Sequence, residues 1–121
     1  MTAYSQIELI ATDWSQIMAD TFPTPVAAYF AATTPAQIAD CFTADGVAVD
    51  DGRTHRGKNA ILRWREEVST ISFRQDFLTS RQDGDRLIVS CRVSGDFKGS
   101  PVDLDYAFRL NDGRIAHLEI S

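Results

Sequence analysis

Few side chains in this sequence are equipped for chemistry, and most of those are carboxylates. Asp50 and Asp51 stand side by side, directly before Gly52 and Arg53. A carboxylate moves protons usefully only where an apolar setting raises its pKa towards the working pH. The same Asp-Asp-Gly string also reads as an ordinary turn, and Arg53 offers an ion pair that would lower a carboxylate's pKa instead. Tyr106 brings a different capacity: a phenol is neutral at pH 7 and donates a hydrogen bond, or it is a core aromatic whose hydroxyl finds a local acceptor. Asp103 and Asp105 share a strand face with Arg109, which reads as a solvated or dimer-facing side rather than a catalytic pair. His55 lies in the polar Arg53 to Arg56 segment and His117 stands near Glu119. Neither has the HxH or HxxxH spacing of a metal site, so no metal is expected. No nucleophile elbow, phosphate loop or dinucleotide fingerprint is present, and no cofactor is expected.

The elements that must position these groups follow from periodicity. Ile7, Ile10, Ala11, Trp14, Ile17 and Met18 fall at helical spacing and predict an N-terminal helix within residues 1–21. Pro23 and Pro25 end it. Thr24 is the expected cap of a second helix with Pro25 at its start and Val26, Tyr29 and Phe30 inward. Thr34-Pro35 repeats the signal for a short helix carrying Ile38, Cys41 and Phe42. Asp45-Gly46 breaks that period, Val47 to Asp50 alternate as a short strand, and Asp51-Gly52 turns. A helix after Gly57 places Ile61, Leu62, Trp64 and Val68 inward, with Arg63, Glu66 and Glu67 outward. The rest reads as strands. Asp83-Gly84, Lys98-Gly99 and Asn111-Asp112-Gly113 are the turns, and Val102 to Leu110 is the cleanest period-two run, with Tyr106 on the face of Leu104 and Phe108. Helices first and an antiparallel meander afterwards predict an α+β fold.

Composition narrows the function classes. The chain has 121 residues, 44% hydrophobic and 24% charged, with a net charge of −5. That is one domain with a core of its own. Nucleic-acid binding runs on clustered Lys and Arg, and the acidic balance argues against it and against an anionic membrane surface. No run reaches the roughly 18 apolar residues of a membrane span. No basic residue precedes Arg53, so no signal peptide is expected and the protein is expected to be cytoplasmic. Cys41 and Cys91, fifty residues apart in apolar company, are expected to be buried reduced thiols.

The element order and several local strings together resemble the nuclear transport factor 2-like superfamily, in its SnoaL-like and ketosteroid-isomerase-like branch. The strings are Phe22-Pro23-Thr24-Pro25-Val26-Ala27-Ala28-Tyr29-Phe30, Cys41-Phe42-Thr43-Ala44-Asp45-Gly46-Val47-Ala48-Val49-Asp50-Asp51-Gly52, Arg53-Thr54-His55-Arg56-Gly57, Ala60-Ile61, Trp64 and Asn111-Asp112-Gly113-Arg114-Ile115. The match runs over 22–121, with 1–21 as an added helix. The resemblance implies N-terminal helices packed in a strongly curved antiparallel sheet, a nuclear transport factor 2-like or cystatin-like cone with an apolar pocket. It also implies a homodimer formed through the sheet. It places Asp50 where the isomerase branch carries its general base, with Asp51 one residue away. It places Tyr106 where that branch carries a hydrogen-bond donor to an enolate oxygen. A one-residue slip would exchange Asp50 for Asp51 as the inward carboxylate. The branch's helical tyrosine has no counterpart, since the matching position is Val26. Tyr29, Trp64, Phe108, Leu118 and His55 are the expected ligand-binding residues. Three functions fit: a cofactor-free isomerase, cyclase or hydratase acting on a small hydrophobic molecule, a non-catalytic module holding such a ligand, or a protein-interaction module working through Ile115 and His117.

Overall fold

The computed structural model describes residues 22–121, so the helix expected within 1–21 lies outside the described residues. Helix α1 spans Thr24–Ala31. Its cap is Pro23 rather than Thr24: the Pro23 carbonyl accepts from the amides of Val26 and Ala27, each at 3.0 Å, and Thr24 is already helical. Pro25 is tolerated there because first-turn amides need no intrahelical acceptor. Helix α2 spans Pro35–Asp40, capped by Thr34, whose hydroxyl accepts from the Gln37 amide at 3.2 Å.

Strand β1 runs Phe42–Asp50, so Cys41 and Phe42 lie beyond the helix that their spacing predicts. The sheet captures them: the Cys41 carbonyl accepts from the Ile115 amide at 2.8 Å, and Phe42 pairs with Ile115. Asp45-Gly46 does not end an element. It lies inside β1, where the register shifts between Phe42 and Val47, as at a bulge. Strand β2 spans Arg53–Arg56 and pairs back onto β1 through Asp51 and Gly52, both at positive φ, 53° and 73°. That is the two-residue turn whose twist suits a hairpin. Helix α3 spans Lys58–Val68 and buries Ile61 and Trp64. Strands β3 (Phe73–Asp83), β4 (Arg86–Gly95), β5 (Val102–Asn111) and β6 (Arg114–Ile120) complete the chain.

The six strands form one sheet in the order β2-β1-β6-β5-β4-β3. Neighbours are antiparallel except β1 and β6, which run parallel. Further register shifts fall between Phe77 and Thr79 and between Arg109 and Leu110. Irregularities of this kind bend a sheet and increase its local twist. The fold is α+β, with the helices against a curved, unclosed sheet. Phe42, Ile61, Val89, Phe108, Ile115 and Leu118 are fully buried between them. Ile115 therefore belongs to the core, not to a surface for partner proteins. Both cysteines are buried and free. Burial pushes the Cys91 thiol up to about 12, helped by the charge of Asp76, and burial likewise raises Cys41. Neither is a thiolate nucleophile near neutral pH.

Candidate functional site

The position of Asp50 follows from register. Asp50 pairs with Ile120 across the parallel β1–β6 ladder, and Ile120 pairs with Tyr106 across β5–β6. The three residues form one row on adjacent strands. Directly paired residues point to the same face, so both polar side chains flank Ile120 on the inner surface. Two inter-strand steps separate their Cα atoms by about 10 Å. Asp50, Tyr106 and Ile120 line a cavity of about 180 Å³ together with Arg65 and an apolar wall that includes Val68, Phe73, Phe97 and Leu104. An apolar cavity of about 150 Å³ takes benzene, so this volume suits a single ring with short substituents.

The carboxylate is held in place. Trp64 Nε1 donates to Asp50 Oδ2 at 3.0 Å. His55 stacks on the Trp64 ring, with centroids 5.6 Å apart and planes 19° from parallel, which fixes the indole from β2. Arg53 is paired with Asp50 in the hairpin register yet is exposed, and no ion pair joins them among the described residues. Asp51 is the other carboxylate considered as a base. It sits in the turn at φ 53° and is exposed, so the slip that would bring it inward does not occur.

Tyr106 is buried and its hydroxyl accepts from Gln75 Nε2 at 2.8 Å. That bond leaves the phenolic hydrogen free for another acceptor. Burial pushes the Tyr106 pKa up to about 12, against a lowering from the Gln75 bond. The phenol is therefore a neutral donor throughout the ordinary pH range. Tyr29 lies deeper. Its ring meets those of Phe30, Tyr106 and Phe108, and its buried hydroxyl has no hydrogen-bond partner among the described residues. Burial raises the Tyr29 pKa strongly, an effect that the charge of Arg65 partly opposes.

Other expected ligand contacts are placed differently. Phe108 and Leu118 are fully buried in the core and are not part of the cavity wall: they pair with each other in a separate row of the sheet, where Tyr29 and Phe30 of α1 pack against Phe108. Trp64 and His55 act one layer behind the wall, through Asp50. Asp103 and Asp105 face away from the cavity. Arg92 bonds Asp103 at 2.8 Å and the Ser90 hydroxyl donates to Asp105 at 2.6 Å.

Two groups at the site belong to no motif in the sequence: Arg65, which lines the cavity, and Gln75, which bonds the Tyr106 hydroxyl. A signal existed for each. Arg65 stands three residues after Leu62 and three before Val68, on the edge of the apolar stripe. Gln75 alternates with Phe73 and Phe77, at an inward position.

Among the described residues, no group of three or more His, Cys, Asp or Glu side chains could hold a metal ion. No helix among them is long and apolar enough to cross a membrane. A wider groove of about 640 Å³ lies between α1, α2 and the β5–β6 turn. Its arginine, Arg114, is engaged with the Asp40 carbonyl at 2.7 Å, and no carboxylate–phenol pair faces it.

Comparison with known proteins agrees with this fold. The sequence profile of the SnoaL-like domain matches residues 26–118. Among solved structures, a proposed polyketide cyclase from Sinorhizobium meliloti is 40% identical, with a TM-score of 0.75, over 86% of this chain and 98% of its own. A protein of ketosteroid isomerase-like fold from Catenulispora acidiphila, solved with trimethylamine, is 23% identical with a TM-score of 0.70, over 84% of this chain and 86% of its own. TerC, co-crystallised with polyporic acid, is similar in fold, with 18% identity and a TM-score of 0.66 over 80% of this chain and 87% of its own. Among curated proteins, no relative matches the chain.

Proposed function

The chain belongs to the SnoaL-like domain family, and from that footing we propose that its cavity binds a small hydrophobic carbonyl compound and performs cofactor-free acid–base chemistry on it. The reaction is of the isomerase, cyclase or hydratase kind. Asp50 is the general base that removes a proton from the carbon next to the carbonyl. Tyr106 donates a hydrogen bond to the oxygen that gains charge as the enolate forms.

The observation that carries this reading is the row Asp50–Ile120–Tyr106. It sets a proton acceptor and a hydrogen-bond donor about two strands apart, with an apolar side chain between them for the substrate's body. The second oxygen of Asp50 has no hydrogen-bond partner among the described residues, whereas Trp64 holds the first. Both groups are fixed before a ligand arrives, which is where such sites gain their rate. Aldol ring closure, the step of a polyketide cyclase, begins with the same proton abstraction, so the Sinorhizobium meliloti relative is compatible with this chemistry.

Cyclohex-3-enone is a suitable probe, because it is a single-ring ketone whose double bond moves into conjugation after proton removal. The protein is expected to catalyse that shift above the buffer rate, followed by ultraviolet absorbance. Binding of the conjugated product without any acceleration would overturn the catalytic reading and leave a holding site. In the same proposal the protein is a cytoplasmic homodimer joined through the outer face of its sheet, as the family resemblance implies. Sedimentation showing only monomer at micromolar concentration would count against that assembly.

A further inference from the structure

Arg65 differs from four arginines of the sheet in what its guanidinium meets. Arg74, Arg81, Arg86 and Arg92 each pair with an aspartate within 4 Å, at 3.1, 3.9, 3.7 and 2.8 Å. Arg65 is half-buried, lines the cavity, and among the described residues makes neither an ion pair nor a side-chain hydrogen bond. Its neighbours on the helix, Glu66 and Glu67, are exposed and do not reach it. What holds it is aromatic. The guanidinium carbon lies 5.1 Å from the Trp64 ring centre and 5.9 Å from that of Tyr29. Contacts of this kind orient the planar group without using its N–H donors. The Tyr29 hydroxyl, without a hydrogen-bond partner among the described residues, belongs to the same neighbourhood, within electrostatic reach of Arg65, Tyr106 and Asp50.

A guanidinium that is held by its face, with its donors uncommitted, is suited to a two-oxygen or delocalised anion. The cavity also contains Asp50, so the charges of protein and ligand must be counted together. With a neutral ketone bound, Asp50 and Arg65 balance each other. Once the proton has moved to Asp50, the negative charge sits on the enolate oxygen, and Arg65 is the cation left to meet it.

We propose that Arg65 is the specificity-determining residue of this cavity, and that it selects single-ring ligands whose oxygen is anionic, a carboxylate or an enolate, over neutral molecules of the same shape. The proposal deepens the reading given above and rests on its binding half. It predicts that the preferred ligand class is a compact acid or acidic enol, with the ring against Val68, Phe73, Phe97 and Leu104.

Benzoate and benzamide test it, since they differ in charge and hardly in shape. In calorimetric titrations of the full chain, benzoate is expected to bind roughly 10- to 100-fold more tightly than benzamide. Arg65→Met should abolish that preference. Arg65→Lys, which keeps the charge but not the planar fork, should retain part of it. Asp50→Asn removes the like charge in the cavity and should tighten benzoate. Unfolding curves of the variants establish that each is folded when titrated. Equal affinity for the two probes, binding of neither, or a preference that survives in Arg65→Met overturns the proposal. Ketone isomerisation without any preference for the anion would overturn this inference alone, whereas the preference without turnover would support it and count against the catalytic reading.

Discussion

Replacing Asp50 with asparagine is expected to lower the isomerisation rate by roughly 10²- to 10⁴-fold, the usual contribution of a positioned general base. At about 1.36 kcal/mol per decade, that is about 3–5 kcal/mol of transition-state stabilisation. The substitution is close to isosteric, and the amide oxygen can still accept from Trp64 Nε1, the bond that orients the native side chain at 3.0 Å. Only the proton acceptor is lost. Affinity for the conjugated ketone product should therefore change by less than about threefold, because a neutral ligand gains no charge in the ground state. Asp51→Asn is the matched control. Asp51 is exposed in the turn at positive φ, a conformation that asparagine also accepts, so its rate should equal that of the native protein. A steady-state comparison of kcat and KM for the three proteins decides the matter. An Asp50→Asn protein with unchanged kcat would remove the general base from the mechanism, and equal losses in rate and affinity would assign Asp50 a binding or structural role.

The contrast between Asp50 and Asp51 shows where local sequence stops being informative. The turn itself was legible, since Asp51-Gly52 is a favoured string for a two-residue hairpin. The strict alternation of β5 likewise put Tyr106 on the face of Leu104 and Phe108, and the structure keeps it there. Which carboxylate faces inward depends on the pairing of Asp50 with Ile120, seventy positions along the chain, and on a register shift at Asp45-Gly46 that reads locally as an ordinary break. A slip of one residue inverts the answer, and only the long-range ladder fixes it. Arg65 and Gln75 escaped notice for a different reason. Polar residues on an apolar stripe look like its edge unless the depth of the neighbouring cavity is known. Depth also explains Phe108 and Leu118. Alternation gives the face of a strand, but the distance from a cavity is set by how α1 lies across the sheet, and no periodicity within β5 or β6 encodes that.

Phe108 makes that distinction measurable. Its ring is fully buried and lies 5.4 Å from that of Tyr29 and 5.7 Å from that of Phe30, and its strand neighbours are Leu87 and Leu118. Phe108→Ala is expected to cost about 3–5 kcal/mol of stability, the transfer term plus the void left behind. Against a total of about 5–15 kcal/mol for a domain, that removes a large part of the margin. Leu104 alternates onto the same face four residues earlier but is only half-buried and lines the cavity. Leu104→Ala enlarges a space that already exists, so it should cost about 1–2 kcal/mol and act mainly on ligand affinity. Urea unfolding and a ligand titration of each variant separate the two effects. The expected pattern is lower stability for Phe108→Ala, with affinity retained under conditions where the protein stays folded, and weaker binding for Leu104→Ala at nearly native stability. The reverse pattern would move Phe108 into the wall and extend the cavity towards α1. The row from Asp50 to Tyr106 would then be the rim of the binding site rather than its floor, and a ligand larger than one ring would be required to reach both groups.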